Sequence, residues 1–145
     1  MFMADYVIDG SGKVLGRIGS QVAKRLLNGK SVALINAEKL YISGDPKGLF
    51  EKYKRLVELK DKANPEHSPY WSRRSDLFVK RVIRGMLPYK KPRGKEAYRL
   101  LKVYIGVPEE FRKAKVEKIE SKNANDIYHS ITTIGELTEM LGYKG

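Results

Sequence analysis

Gly10-Ser11-Gly12-Lys13, directly after the apolar run Tyr6-Val7-Ile8-Asp9, is the first place in the chain where a phosphate could sit. Glycine-rich turns between a strand and a helix offer backbone amides and a lysine to nucleotide phosphates. Such a loop needs Gly five positions before the Gly-Lys pair and Ser or Thr after the Lys; Val7 and Val14 stand there instead. A dinucleotide turn needs Gly three positions after Gly12, where Leu15 stands, and Gly16 gives only a looser spacing. The segment reads better as a tight strand-to-helix turn with a close backbone approach at Gly16. Lys13 and the helix amides that follow could still meet an RNA phosphate.

Other reactive patterns are equally incomplete. Glu109-Glu110 lie in a Pro-flanked polar loop, and Ser43 lacks the flanking glycines of a nucleophile elbow. His67 and His129 are the only histidines and are too far apart for metal-ligand spacing. His67 reads as a solvent or RNA contact and His129 as packing. The chain has no Cys, which excludes thiol nucleophiles, disulfides and Cys-ligated metals. The expectation is a protein that is not an enzyme, with no metal, no cofactor and no small-molecule substrate.

The stronger signal is charge. Of 145 residues, 29 are Lys or Arg and 17 are Asp or Glu, a net +12. From Trp71 to Lys102 there are 11 basic groups against Asp76 and Glu96 alone, whereas residues 103–145 are nearly neutral. Such a cluster repels itself unless a polyanion or counterions neutralise it. Arg73, Arg74, Lys80, Arg81, Arg84, Lys90, Lys91, Arg93 and Lys95 form it, with Tyr70, Trp71 and Tyr89 interleaved. Arg makes forked phosphate contacts, Lys adds point charge, and exposed rings stack on unpaired bases. Tyr70 and Trp71 either do this or cover an edge of the core. Apolar residues beside the charges are committed to a core, which argues against a membrane surface, and no apolar run reaches the ~18 residues of a span. The N-terminal residues show no leader pattern, so a soluble, cytoplasmic chain is expected.

The elements that must hold these groups follow from periodicity. Leu, Ile, Val and Phe make up about a quarter of the chain, enough for a core. Tyr6–Asp9 reads as a strand, and Val14, Leu15, Ile18, Val22, Ala23, Leu26 and Leu27 recur at helical spacing up to Asn28-Gly29. Val32-Ala33-Leu34-Ile35 is a second, buried strand, which completes a βαβ unit. Leu40–Ser43 reads as a third strand, and Asp45-Pro46 opens a helix burying Leu49, Phe50, Tyr53, Leu56 and Val57. Ser75 or Asp76 caps the next helix, with Phe78, Val79, Val82, Ile83, Met86 and Leu87 inside and Lys80, Arg81 and Arg84 opposite. Residues 89–95 read as a basic loop, residues 97–101 as a short helix, and Val103–Ile105 as a fourth strand. Thr133 and Glu136 spell a capping box for a last helix, with Gly142 as its C-cap. This order predicts one α/β domain over 1–145 around a small, mostly parallel sheet, its core at about 5–108 and a polar extension at 109–145.

Several of these segments also resemble a known family in order: Val14-Leu15-Gly16-Arg17, Ile35-Asn36-Ala37-Glu38, Ser43-Gly44-Asp45, Arg84-Gly85-Met86-Leu87-Pro88, Lys91-Pro92-Arg93-Gly94 and Leu101-Lys102-Val103-Tyr104-Ile105-Gly106. Together they resemble the universal large-subunit ribosomal protein thirteen family, over about residues 6–108. The resemblance implies a three-layer α/β/α fold with a four-stranded parallel sheet. It further implies a structural role in binding large-subunit ribosomal RNA, beside neighbouring ribosomal proteins, and in subunit assembly. Arg17, Arg84, Lys90, Lys91, Arg93 and Lys95 are the RNA-facing residues it implies. The short Asn28–Ser31 link is similar to the archaeal and eukaryotic branch. The residues alone leave open a small nucleotide-binding enzyme using Gly10–Gly16, or an RNA-binding regulator outside the ribosome.

Overall fold

The computed structural model describes residues 4–58, 74–114, 116 and 131–142. Strand β1 (Tyr6–Asp9) leads to helix α1 (Leu15–Leu27), then β2 (Val32–Ile35), a 3-10 turn (Ala37–Lys39) and β3 (Tyr41–Ser43). Helices α2 (Pro46–Glu58), α3 (Ser75–Arg84) and α4 (Pro92–Arg99) follow, then β4 (Leu101–Val103) and a 3-10 turn (Glu109–Phe111). Strand β5 (Ile131–Thr133) and helix α5 (Ile134–Met140) complete the described elements.

The sheet is parallel in the order β1-β2-β4, with Ile8 opposite Leu34 and Leu34 opposite Val103. All four residues of β2 are buried because it is flanked on both sides and covered on both faces. Side chains alternate between two clusters, as the two-residue pleat requires. Ile8, Val32, Leu34, Leu101 and Val103 join the main one with Ile18, Val22 and Leu26 of α1, Phe78 and Ile83 of α3, and Leu137 of α5. Val7, Ala33 and Ile35 turn the other way, against Phe111 and Tyr104.

The mixed, mostly parallel α/β architecture is the one expected. Four differences refine it. The described residues hold three continuous parallel strands rather than four; Val116 adds a single parallel bridge to Val7 of β1. Residues 41–43 form a strand, but it pairs antiparallel with β5 in a sheet of its own, Ile42 opposite Thr132. The fourth strand falls at 101–103 rather than 103–105. The apolar core also reaches beyond 108, since Ile134 and Leu137 are fully buried in the main cluster.

Local signals explain most element ends. Thr133 caps α5 by accepting the Glu136 amide at 3.1 Å, as the capping box predicts. Ser75 does not cap α3. It is buried inside the first turn, with Arg74 at the cap position, and its hydroxyl shares a 2.8 Å hydrogen bond with Thr138 of α5. Among the described residues the close approach expected at Gly16 is absent: beyond its chain neighbours and its own helix backbone, a Cβ there would meet nothing within 4 Å. Crowding falls instead at Gly10, against Leu40, and at Gly19, against Met86.

The Ile35-Asn36-Ala37-Glu38 segment ties the carboxyl ends of the strands together. Asn36 takes a left-handed conformation, φ 55°, and its amide donates to the Gly106 carbonyl at 2.9 Å. Its side-chain amide donates to Asp9 Oδ1 at 3.0 Å, while Glu38 Oε2 accepts the Gly106 amide at 2.9 Å. Partial burial raises the affinity of Asp9 for a proton, but hydrogen bonds from Asn36 and Ser11, with Lys39 nearby, together hold its pKa below the ordinary value. Asp5 is shifted the same way by its hydrogen bonds to the Ser31 backbone and side chain. A depressed carboxylate contributes stability that is present above its ordinary pKa of about 4 and is lost as pH falls through the folded value. Asp9→Asn should therefore lose less of its urea midpoint than the parent between about pH 5 and 2.5. An equal loss would place the acid sensitivity elsewhere.

Candidate nucleic-acid interface

Helix α3 buries Phe78, Val79 and Ile83, which leaves Lys80, Arg81 and Arg84 on its outer arc. Leu87 is buried and Pro88 is followed by a tight turn in which the Lys91 amide donates to the Pro88 carbonyl at 2.9 Å. Helix α4 then starts at Pro92, a favoured first-turn residue because its ring presets φ and it has no amide hydrogen to leave unpaired. The basic loop read over 89–95 is thus only 88–91, and Arg93 and Lys95 stand exposed on α4. Gly94 makes the tight junction possible. It is buried, and a Cβ there would run into the Pro88 carbonyl and lie 2.8 Å from Tyr89 N.

This junction orders cations on rings. The Arg84 guanidinium lies 3.8 Å from the Tyr89 ring centroid, and Tyr89 meets Tyr98 edge-on at 5.4 Å. The Lys80 ammonium sits 4.9 Å from the centroid of Tyr98. Lys80, Tyr98, Tyr89 and Arg84 thereby form a ladder joining α3, the turn and α4. Tyr89, expected as a base-stacking ring, instead spends one face on Arg84, because a ring face attracts a guanidinium. Burial lowers the pKa of Lys80, the charge of Lys102 lowers it further, and Asp76 acts against both. Burial also raises the Tyr98 phenol, so this ring stays neutral at any ordinary pH.

The other expected contacts are distributed. Arg74 Nε pairs with Asp76 at 2.9 Å at the start of α3. Lys90 and Lys91 are exposed on the turn. Arg17 is exposed in the first turn of α1, and Lys13, half-buried, precedes it. Arg73, with His67, Tyr70 and Trp71, lies outside the described residues, as does His129. Sequence reasoning missed Tyr98 and Lys102 as members of the basic site. Their signal was present: Lys102 is the exposed residue between buried Leu101 and Val103 on β4. None of the described helices is long and apolar enough to cross a membrane.

The family described as Ribosomal protein L13 matches residues 4–110. The chain belongs to that family. Curated relatives agree along nearly the whole length. The large ribosomal subunit protein uL13 of Archaeoglobus fulgidus is 44% identical over 141 residues, covering 96% of this chain and 88% of the relative. That of Methanosphaera stadtmanae is 41% identical over 139 residues, covering 95% and 97%. The protein of the same name from Methanocaldococcus jannaschii is 42% identical over 139 residues, covering 95% and 98%. The resemblance to the large-subunit ribosomal protein thirteen family is thus borne out, and its motifs do two kinds of work in this L13 chain. Asn36 and Glu38 lock strand ends, whereas Arg84 through Gly94 shape the cationic ladder and turn.

Proposed function

We propose that this L13 family member is a structural, non-catalytic constituent of the large ribosomal subunit in the cytoplasm. It binds large-subunit rRNA through Lys80, Arg81, Arg84, Lys90, Lys91, Arg93 and Lys95, with Lys13, Arg17, Arg73, Arg74 and Lys102 extending the contact. The observation that carries this reading is the ladder: cations held on tyrosine rings between two helices. Half-buried Lys80 faces the like charge of Lys102, so a phosphate placed there relieves repulsion as well as adding attraction. Basic groups fixed by the α/β core replace counterions along the RNA backbone and read its shape rather than its sequence. Neighbouring ribosomal proteins are the expected second class of partner.

The test is sedimentation of native extract on a sucrose gradient, repeated after a high-salt wash. The chain should travel in stoichiometric amount with large-subunit RNA at low salt. A chain left at the top of the low-salt gradient would refute the ribosomal role.

A further inference from the structure

We infer that an open cleft between the first turn of α1, β3, α2 and α3 receives one unstacked nucleotide of the bound RNA. This rests on the proposed function and adds a site separate from the α3–α4 ladder. The cleft has a volume of about 380 Å³, with Ile42, Tyr53 and Val82 supplying apolar wall, Ser43 a hydroxyl and Arg17 a cation. Among the described residues, no carboxylate lines it. A base can lie against the apolar wall while its phosphate meets Arg17, which is how proteins take up splayed single-stranded bases.

Gly16 supplies the argument for an occupant. It lines the cleft within α1, is exposed, and has neither a left-handed φ nor, beyond its chain neighbours and its own helix backbone, any described atom within 4 Å of the place a Cβ would take. At Gly10, Gly19 and Gly94 the missing side chain makes room for Leu40, Met86 and Pro88 of the chain itself. At Gly16 nothing in the described chain uses the room, although glycine lowers helix stability relative to Ala. Gly48 on α2 is also open, but the cleft it lines contains Glu51, which opposes a phosphate. Space beside Arg17, apolar walls and no acid among the described lining residues together favour a nucleotide joined to an anionic backbone.

The experiment compares the full chain with Gly16→Ala and Gly16→Leu, measuring melting temperature and affinity for purified large-subunit rRNA across salt. Gly16→Ala should raise the melting temperature by about 2–4 °C and leave affinity within about twofold. Gly16→Leu should melt no lower than the parent yet bind about tenfold more weakly, with the same salt slope because every cation remains. Equal rRNA affinity in a folded Gly16→Leu chain would overturn the cleft while leaving the ribosomal role intact. A parent chain with no rRNA affinity would instead sink both. Saturable binding of free AMP, abolished by Gly16→Leu, would overturn it in favour of a soluble-nucleotide site. Ser43→Phe, at the exposed end of β3, repeats the blockade from the facing wall should the helix variant not fold.

Discussion

Replacing Arg81, Arg84, Lys90 and Lys91 together by Ala should flatten the salt dependence of rRNA binding while the domain stays folded. About eight phosphate contacts in double-stranded regions give a log–log slope near −7, at about 0.9 per contact. Four fewer leave about −3.5, and at 0.1 M salt the affinity falls on the order of a thousandfold. The fold should survive because Lys90 and Lys91 are exposed, and losing the Arg84–Tyr89 contact costs only about 0.5–1 kcal/mol. A control with Lys24, Lys30, Lys39 and Lys47 changed to Ala removes the same charge from other exposed positions. If both variants lose equal slope, total charge governs binding and the ladder has no special part. An unchanged slope in the folded first variant would remove this patch from the interface.

Gly94→Ala should be among the most damaging single substitutions in the described chain, although it adds one methyl group. Its Cβ would enter the Pro88 carbonyl, and backbone cannot swing aside as a long side chain does. Relief requires moving α4 away from the turn, which separates Tyr98 from Tyr89 and disturbs Ala97, buried in the main cluster. Overpacking against fixed atoms costs about 3 kcal/mol, a large share of the 5–15 kcal/mol typical of a domain. Thermal unfolding should show a drop of about 10 °C, and rRNA affinity should fall as the ladder loosens. A melting temperature within about 2 °C of the parent would mean the junction adapts freely.

What could be read from sequence was set by the range of the interactions involved. The α1 stripe from Leu15 to Leu26, the buried run of β2 and the Thr133–Glu136 cap are local patterns, and each was legible. Ser75, one of two cap candidates with Asp76, is not a cap, and the partner that claims its hydroxyl, Thr138, is 63 residues away. Leu40–Ser43 was recognised as extended, but its antiparallel partner β5 lies far downstream in a stretch of weak pattern. Pro92 and Gly94 looked like loop punctuation. Their helical placement depends on proline suiting a first turn and on glycine meeting a carbonyl, the second visible only in three dimensions. The site followed the same rule. The cluster of cations could be counted, whereas the pairing of Lys80 with Tyr98 and the approach of Lys102 required the packing of α3 on α4 and β4.

The late position of β5 and α5 also sets an order of events while the chain is being made. Thr132 donates to the Gly44 carbonyl across 88 residues, and Ile134 and Leu137 fill the main cluster. Residues 71–102, with their 11 cations, have all been polymerised before those last pieces exist. At about 5–20 residues per second, the 40 residues from 102 to 142 take roughly 2–8 s. Throughout that interval the nascent polycation lacks the finished scaffold that would fix its spacing, and any nearby anion competes for it. The earliest moment at which that scaffold can close is set by when residues 131–142 are added.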